Sequence, residues 1–278
     1  MFSILIPTWN NLPYLKACLE SIRLHSSFDH QIVLHVNEGN DGTLEWVRSQ
    51  GIEHSFTPDN AGICIGMNLA AARAKHPLLL YLNDDMYCCP GWDRYLMEAA
   101  DRIPTNAFLL SSTLIEPRPT RNSCVIVRDY GQDLEGFRKE ELLSGFSGLR
   151  KADWSGSTWP PTLMHRQYWD RIGGYSIEFS PGMSSDDDLS MKMWMAGCRI
   201  FRGIGESRVY HFQCKSTGRV QPNDGRRQFL MKWGLNQSGF RRVYLKMGRA
   251  DPGPLADPFG TRAYRWEKFR AGMKRRFL

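Results

Sequence analysis

The sequence predicts an α/β fold with a mostly parallel central sheet. Three observations support this: strand and helix signals alternate over residues 3–115, the strand segments are largely apolar, and polar residues follow them. Strands that alternate with helices form right-handed βαβ units. A continuous apolar run such as PLLLYLND (77–84) is typical of a strand that is covered on both faces of the sheet.

The first half of the chain contains regular elements throughout. The first helix is predicted to begin near Pro13, with Asn11 as its cap and Leu15, Leu19 and Ile22 on one face. Gly51 is predicted to end the second helix. Strands are predicted at 3–9, 31–38, 52–58, 77–84 and 107–115, and the further helices at 42–51, 62–75 and 90–103.

The second half is less regular. Residues 116–160 are rich in Pro, Arg, Gly and Ser, which indicates loops. Antiparallel strands within this segment are an alternative. The segments that follow predict a strand and short helix (162–175), a helix (184–197), two strands (198–204 and 207–212), a turn region (251–260) and a basic terminal helix (261–278).

Composition limits the classes of protein. The 278 residues with 42% apolar content suit one large domain, and no apolar run of about 18 residues predicts a membrane span. The first residues lack the pattern of a signal peptide. Seven cysteines without a CxxC pair indicate reduced thiols, so we expect a cytoplasmic protein.

Charge is distributed unevenly. Residues 215–278 hold 16 Lys and Arg and 4 Asp and Glu, a net charge of +12, whereas residues 1–214 hold 20 and 25, a net charge of −5. The tail is therefore expected to meet an anionic partner, for which diphosphate, lipid headgroups and nucleic acid are the candidates. Aromatic residues interleave with the basic residues of 261–278, which predicts either peripheral contact with the inner face of an anionic membrane or packing on the main domain.

Polar residues follow the predicted strands at the edge where parallel sheets bind ligands. They are Pro7-Thr8, Asn37-Glu38, Asp59-Asn60 and Asn83-Asp84-Asp85. Two adjacent carboxylates at such an edge repel each other, and a divalent cation between them and an anionic ligand would remove the repulsion. A solvated turn is the alternative interpretation of Asn83-Asp84-Asp85.

Two further groups of residues have side chains that are suited to catalysis or to ligand binding. The segment Ser184-Ser185-Asp186-Asp187-Asp188 has two interpretations. It caps a helix, for which a serine and one acid are sufficient. Alternatively, one of the additional carboxylates acts as a general base. His211 is followed by Lys215 and Arg219, which suits a loop that closes over phosphates.

These motifs together resemble the family-2 glycosyltransferases, over roughly residues 2–218. SILIPTWNNLPYLKACLESI resembles the opening of the family, and VNEGNDGT resembles its VDDGSTDGT. DNAGICIGMNLAAARAK, LNDDM, SDDDLSMKMWMAGCRI and VYHFQCKST follow in the order of the family's later motifs. The resemblance implies the GT-A fold, with a nucleotide-binding half (1–115), an acceptor and catalytic half (116–218) and a basic C-terminal extension (219–278).

The resemblance also implies roles for individual residues. The donor, expected to be a UDP-linked sugar, would contact Pro7, Thr8, Asn37, Glu38, Asn60, Gly62, Asn83, Asp84, Lys215 and Arg219. Asp85 and His211 would bind Mn²⁺ or Mg²⁺, and Trp159 would form an acceptor-side wall. A buried tryptophan in a loop is the alternative interpretation of Trp159. Asp186 aligns with the catalytic base, although Asp187 remains a rival because Ser185 replaces the family's Glu. Asn37 replaces an Asp of the family motif, so the prediction that the base of the donor nucleotide is uracil has less support.

The implied reaction is an inverting transfer of the sugar to a hydroxyl of a glycan or lipid-linked acceptor, as in polysaccharide biosynthesis. Three other functions stay open at this point. A sugar nucleotidyltransferase usually carries a Gly-rich basic loop after the first strand, which PTWNNLPY lacks. A non-catalytic module that binds glycans or sugar nucleotides, and a protein that binds nucleic acid through its basic tail, are the other two, although no nucleic-acid partner is expected.

Overall fold

The computed structural model describes residues 1–214 and 223–277, in which ten strands form one sheet flanked by helices. The strands are β1 (Ser3–Trp9), β2 (Gln31–Asn37), β3 (Glu53–Thr57), β4 (Leu78–Tyr81), β5 (Met86–Cys88), β6 (Phe108–Glu116), β7 (Ile126–Val127), β8 (Trp154–Ser155), β9 (Thr162–His165) and β10 (Ile200–His211). The α-helices are α1 (Leu12–His25), α2 (Thr43–Ser49), α3 (Gly62–Ala71), α4 (Trp92–Asp101), α5 (Lys139–Gly145), α6 (Arg166–Ile172), α7 (Ser185–Met195), α8 (Gly225–Trp233), α9 (Gln237–Val243) and α10 (Arg262–Arg275).

The sheet has the order β3-β2-β1-β4-β9-β6-β10-β5, with β7 beside β6 and β8 beside β10. Strands β3, β2, β1 and β4 are parallel neighbours, and β6 runs parallel to β10. Strand β9 is antiparallel to both β4 and β6, which it joins. The predicted α/β class with a mostly parallel sheet is therefore confirmed.

Two apolar clusters cover the two faces of the sheet. In β1, Leu5 belongs to one cluster, whereas Ile4 and Ile6 belong to the other, as the two-residue period of a strand requires. All three side chains are fully buried. The continuous apolar strands are thus packed on both faces of the sheet, as the sequence predicted.

Three local predictions differ from the structure. Asn11 occupies the cap position of α1 but its side chain makes no capping bond; the carboxylate of Asp41 instead accepts the backbone N–H of Leu12 at 2.9 Å. Neither serine caps α7, because Ser184 has a left-handed backbone and the Ser185 hydroxyl donates to the Gly182 carbonyl. Residues 198–204 and 207–212 do not form two strands.

The last of these differences shapes one edge of the sheet. Residues 200–211 form the single strand β10, whose register on β6 shifts between Ile204 and Arg208. Strand β5, which the sequence did not predict, pairs with the end of β10 in antiparallel fashion, so that Met86 lies opposite His211. The residues just before β5 and at the end of β10 therefore lie side by side.

The C-terminal helices pack on the sheet domain. Helix α9 contacts α7 and α8, and α10 contacts α8 and α9. Phe229, Phe240 and Tyr244 belong to the same apolar cluster as Leu189 and Trp194 of α7. Within residues 1–214 and 223–277, none of the helices combines the length and apolar character that a membrane span needs.

Candidate active site

A cavity of about 560 Å³ opens at the carboxyl ends of β1, β2 and β4. That size suits a small-molecule ligand. Most of the residues singled out in the sequence line it, from both halves of the chain: Pro7, Thr8, Asn37, Asn60, Gly62, Asn83, Asp84, Asp85, Trp159, Asp186 and His211.

Among the described residues, two of the predicted site residues, Glu38 and Asp187, are not in this lining. Glu38 has a left-handed backbone and its carboxylate accepts a hydrogen bond from Asn10 Nδ2 at 2.9 Å. Asp187 is buried in an ion pair with Arg241. Lys215 and Arg219 lie outside the residues that the structure describes.

The strand ends on the first side of the cavity are tied together by side-chain hydrogen bonds. Thr8 Oγ1 donates to Asp84 Oδ2 at 2.6 Å, which joins the ends of β1 and β4. Asn37 Oδ1 accepts the backbone N–H of Ala61 at 2.9 Å and so positions the start of α3. Gly62 follows with a φ of +79°, and a Cβ there would lie 2.7 Å from Pro181 Cα. Only glycine therefore permits the Pro181 loop to close over this end of the cavity.

Asp85, His211 and Glu116 form a chain of polar contacts at the second side. His211 Nε2 lies 3.5 Å from Asp85 Oδ2, and its Nδ1 lies 3.1 Å from Glu116 Oε1. The backbone N–H of Cys214 donates to Asp85 Oδ2 at 2.8 Å. All three ionisable side chains are more than four-fifths buried. The ring orientation of His211 is therefore fixed from both sides.

The electrostatic coupling of this pair is strong. Burial by itself raises the pKa of Asp85, but the charge and hydrogen bond of His211 and the Cys214 amide outweigh it, so the pKa is lowered. Burial lowers the pKa of His211, but Asp85 and Glu116 outweigh that effect and raise it to about 9. Asp85 thus remains an anion at neutral pH.

The chemistry of Asp85 and His211 fits a divalent cation. In the described part of the chain no three His, Cys, Asp or Glu side chains are grouped as a preformed metal site. A carboxylate oxygen beside an imidazole nitrogen is nevertheless a donor pair that Mn²⁺ accepts, and phosphate oxygens of a ligand can fill the remaining positions. Glu116 on Nδ1 matches the carboxylate that commonly orients a metal-bound histidine. A cation there must displace the His211 proton.

The three consecutive aspartates of α7 have three different environments. Asp187 accepts hydrogen bonds from Arg241 Nε and Nη2 at 2.6 and 2.5 Å, in the two-pronged geometry typical of arginine and carboxylate. Gln237 also donates to Asp187. Both of its oxygens are therefore occupied within the protein.

Asp188 is likewise enclosed. Its carboxylate accepts hydrogen bonds from Ser176 Oγ at 2.6 Å and Trp233 Nε1 at 2.8 Å, and Lys232 Nζ lies 2.9 Å away. The side chain is 1% exposed. Asp188 thus anchors α7 to α8 and is turned away from the cavity.

Asp186 is the aspartate of this group that lines the cavity. Tyr175 donates its hydroxyl proton to Asp186 Oδ1 at 2.7 Å and fixes the carboxyl group. Burial raises the pKa of Asp186 to about 7, with the charge of Asp187 acting in the same direction and the Tyr175 hydrogen bond opposing it. A carboxyl group with a pKa near 7 has the proton affinity that a general base needs at neutral pH.

Trp159 stands between the aspartates and a second, more basic cavity. The guanidinium carbon of Arg241 lies 4.6 Å from the centre of the Trp159 ring, a cation–π contact. Trp159 lines both cavities. Arg241 therefore contacts both Asp187 and Trp159, which forms part of the cavity wall.

Sequence reasoning missed Glu116, Tyr175 and Arg241. Glu116 is the last residue of β6, so the strand-end rule that drew attention to Asp84 applies to it as well. Tyr175 lies in the GGY segment before α7, and nothing in its spacing predicts its contact with Asp186. Arg241 lies in the basic tail, where charge alone does not distinguish one arginine from another.

The chain was compared with known proteins. The sequence profile of the family described as "Glycosyl transferase family 2" matches residues 3–151, which is more than half of the chain. The search of curated proteins gave no match.

Solved structures show the same fold at low sequence identity. S. aureus TarS 1-349 in complex with UDP has 15% identity and a TM-score of 0.57, over 75% of this chain and 59% of that one. The same TarS fragment with UDP-GlcNAc gives a TM-score of 0.56 at 15% identity, over 83% of this chain and 64% of that one. GalNAc-T7 with UDP, GalNAc and Mn²⁺ gives 0.60 at 14% identity, over 87% and 50%. The chain thus spans about three fifths of the TarS fragment and half of GalNAc-T7.

The Arg241–Asp187 pair is expected to be important for stability. Arg241→Ala leaves the carboxylate of Asp187, which is 1% exposed, without its charged partner, so the free energy of unfolding should fall by about 3 kcal/mol. Arg249→Ala is the matched control: it removes an exposed cation nearby and should cost no more than about 0.5 kcal/mol. Urea denaturation measures both, and equal losses would contradict the role of the pair.

Proposed function

The chain belongs to glycosyl transferase family 2, and on that premise we propose that it transfers a sugar from a nucleoside diphosphate sugar to an acceptor hydroxyl. The donor is a UDP-linked sugar, and the configuration at its anomeric carbon is inverted. The acceptor is a glycan or a lipid-linked sugar, as in polysaccharide biosynthesis. Residues 1–115 bind the donor, and residues 116–218 supply the base and the acceptor side.

One observation carries this proposal. The Asp85–His211 pair and the Asp186 carboxylate line the same cavity, and each is held in place by other side chains of the protein. Group transfer from a diphosphate needs positive charge at the leaving group and a base at the attacking hydroxyl. This cavity has a candidate for each requirement.

The donor is proposed to lie along the strand ends. The nucleoside occupies the side of Thr8, Asn37 and Asn60, and the diphosphate extends past Asp84 towards Asp85 and His211. Structures with UDP, among them the TarS fragment and GalNAc-T7, have the same fold, which supports the choice of nucleotide. Lys215 and Arg219 are proposed to contact the phosphates from the segment that follows His211.

Asp85 and His211 are proposed to hold a divalent cation. When bound, Mn²⁺ or Mg²⁺ supplies positive charge that stabilises the leaving diphosphate. Glu116 keeps the His211 ring oriented for this task through its contact with Nδ1. Asp84 is joined to Thr8 and is proposed to face the ribose or the sugar phosphate instead.

Asp186 is proposed as the general base, in preference to Asp187. As the acceptor oxygen forms a bond to the anomeric carbon, the bond from that carbon to the diphosphate breaks and its electron pair leaves with the phosphate. The proton of the acceptor hydroxyl passes to the Asp186 carboxylate. Attack from the face opposite the leaving group inverts the configuration. Asp187 is poorly suited to this role because Arg241 and Gln237 occupy its oxygens.

The terminal helix α10 is proposed to contact an anionic membrane. Its buried side is formed by Glu267 and Ala271, whereas Trp266, Phe269 and Phe277 are 57%, 60% and 83% exposed. Trp266 and Phe269 are one turn apart and share one face of α10, and Phe277 follows two residues after the helix ends at Arg275. Basic residues lie beside them in the sequence. An apolar stripe between cations is the pattern of a helix that lies in a membrane interface.

Removal of the charge on Asp85 should abolish the effect of metal on donor binding. Asp85→Asn keeps the size of the side chain and loses the anionic ligand, so Mn²⁺ should no longer increase the thermal shift caused by UDP sugars. Asp29→Asn, at an exposed position, is the control. A screen of UDP, GDP and their sugar conjugates with Mn²⁺ or Mg²⁺ measures this. A metal-dependent shift that persists in Asp85→Asn would remove Asp85 from the metal site.

Loss of the base should affect the chemical step and not donor binding. Asp186→Asn should lower kcat by at least about 100-fold while the affinity for UDP stays within about twofold. In the unmodified enzyme, kcat should rise with pH through about 7, because the base acts only when it is deprotonated. Steady-state kinetics between pH 5 and 9 test both, and an equal loss in a natively folded Asp187→Asn would identify Asp187 as the base.

The aromatic face of α10 is testable with vesicles. Trp266→Ser/Phe269→Ser/Phe277→Ser should reduce binding to phosphatidylglycerol vesicles by at least about tenfold, because apolar burial drives interfacial binding. Leu24→Ser/Ile177→Ser/Met195→Ser removes three equally exposed apolar residues elsewhere and should change nothing. Co-sedimentation measures the bound fraction. Unchanged binding of the α10 variant would refute membrane contact through this helix.

A further inference from the structure

A second cavity of about 400 Å³ lies next to the donor cavity and shares Asn122 and Trp159 with it. We call it the basic pocket; five of its lining residues, besides Trp159, are the cations Arg121, Arg241, Arg242, Lys246 and Arg249. Among the residues that the structure describes, no carboxylate lines it, and its other polar groups are hydroxyls and an amide. Such a lining attracts an anion.

Within the described part of the chain, three of these five cations have no carboxylate to neutralise them. Arg241 is paired with Asp187 and Arg242 with Glu267. Arg121, Lys246 and Arg249 have no carboxylate within ion-pair distance in residues 1–214 and 223–277. Three cations that face one concave space repel one another, and a multivalent anion relieves that repulsion.

The backbone that carries two of the cations is firmly attached to the sheet. Gly248 donates its N–H to the Ser155 carbonyl at 2.8 Å, and Ser155 donates its own N–H to the Arg249 carbonyl at 2.8 Å. Ser155 Oγ donates to the Leu245 carbonyl at 2.7 Å. The loop from 245 to 249 is thus attached near both of its ends to Ser155 of β8. A loop whose backbone is already fixed loses little backbone entropy when the site binds a ligand.

The place of the basic pocket indicates which ligand it serves. Arg241 lines it and binds Asp187, the residue next to Asp186, whereas Asp85 and His211 line only the donor cavity. The pocket therefore adjoins the α7 side of the site and not the Asp85–His211 pair, and the proposed mechanism puts the acceptor on the side away from that pair. We infer, on the basis of the proposed function, that the basic pocket binds a phosphate group of the acceptor.

Phosphate is the anion that this lining fits best. Arginine guanidinium groups donate paired hydrogen bonds to phosphate oxygens, and lysine adds a point charge. The phosphate can belong to a soluble phosphorylated glycan or to a lipid headgroup. In both cases the acceptor hydroxyl lies on the far side of Trp159, in the cavity that contains Asp186.

The test is a titration with inorganic phosphate while UDP is held at saturation, so that phosphate does not bind in the donor cavity. The variant is Arg121→Gln/Lys246→Gln/Arg249→Gln, which leaves the paired Arg241 and Arg242 in place. It should weaken phosphate binding by at least about tenfold, as measured by calorimetry. UDP affinity, measured separately, should stay within about twofold of the unmodified protein.

A matched control removes the same charge elsewhere. Arg23→Gln/Arg102→Gln/Arg171→Gln changes three exposed cations that are remote from the basic pocket, and it should bind phosphate normally. Equal phosphate affinity in the two triple variants would overturn the inference. So would a parallel loss of UDP affinity in the pocket variant, since the cations would then belong to the donor site. Absence of UDP binding in the unmodified protein would instead refute the proposed function on which the inference rests.

Two further probes identify the source of the phosphate. sn-Glycerol 3-phosphate represents a soluble ester, and vesicles that contain phosphatidic acid represent a lipid ester. The vesicle experiment uses proteins that carry the three α10 serine substitutions, so that membrane contact through α10 does not mask the pocket. Binding of either probe that depends on Arg121, Lys246 and Arg249 supports the inference, and the probe that binds identifies the source of the phosphate. If the pocket variant binds both probes as tightly as its parent protein does, the inference fails.

Discussion

The buried ion pair between Asp187 and Arg241 is the constraint on which the candidate site depends. Three consecutive aspartates begin α7, and a buried carboxylate without a partner costs several kcal/mol, about 3 or more. The C-terminal helices supply the partners: Arg241 of α9 for Asp187, and Lys232 of α8 for Asp188. The orientation of α7 is thereby fixed with Asp186 towards the cavity. These helices therefore complete the site and are more than an addition to the sheet.

The same arrangement explains how one carboxyl group in this run acquires a raised pKa. Asp187 and Asp188 are balanced by cations, whereas Asp186 has the hydroxyl of Tyr175 as its closest polar partner and Asp187 as a negative neighbour. Burial therefore outweighs the Tyr175 hydrogen bond and the more distant charge of Arg241, both of which lower the pKa of Asp186. At the opposite side, His211 between two carboxylates keeps Asp85 ionised. The cavity thus holds carboxyl groups of contrasting proton affinity, which is the condition for assigning them different chemical tasks.

Local sequence patterns were sufficient for the parallel half of the sheet and insufficient for the rest. The strand-end rule predicted that Thr8, Asp84 and Asp85 would lie close together, because it depends only on the direction of parallel strands. The position of His211 beside Asp85 depends on the antiparallel pairing of β5 with β10, and the partner of Asp187 is 54 residues further along the chain. No period in the local sequence encodes such contacts. The capping interpretation of Ser184 also failed, because Ser184 has a left-handed backbone and its side chain makes no capping bond.

The basic tail shows why net charge alone is a poor guide to function. Its excess of cations is a single number in the sequence, but the described part of the tail uses its cations in different ways. Some, such as Arg241 and Lys232, neutralise buried carboxylates; others line the basic pocket; several more lie on α10 among its aromatic residues. Arg242 connects the last two groups, because it lines the pocket and pairs with Glu267 on the buried side of α10. If α10 rests on an anionic membrane as proposed, this ion pair would hold the basic pocket near the lipid surface.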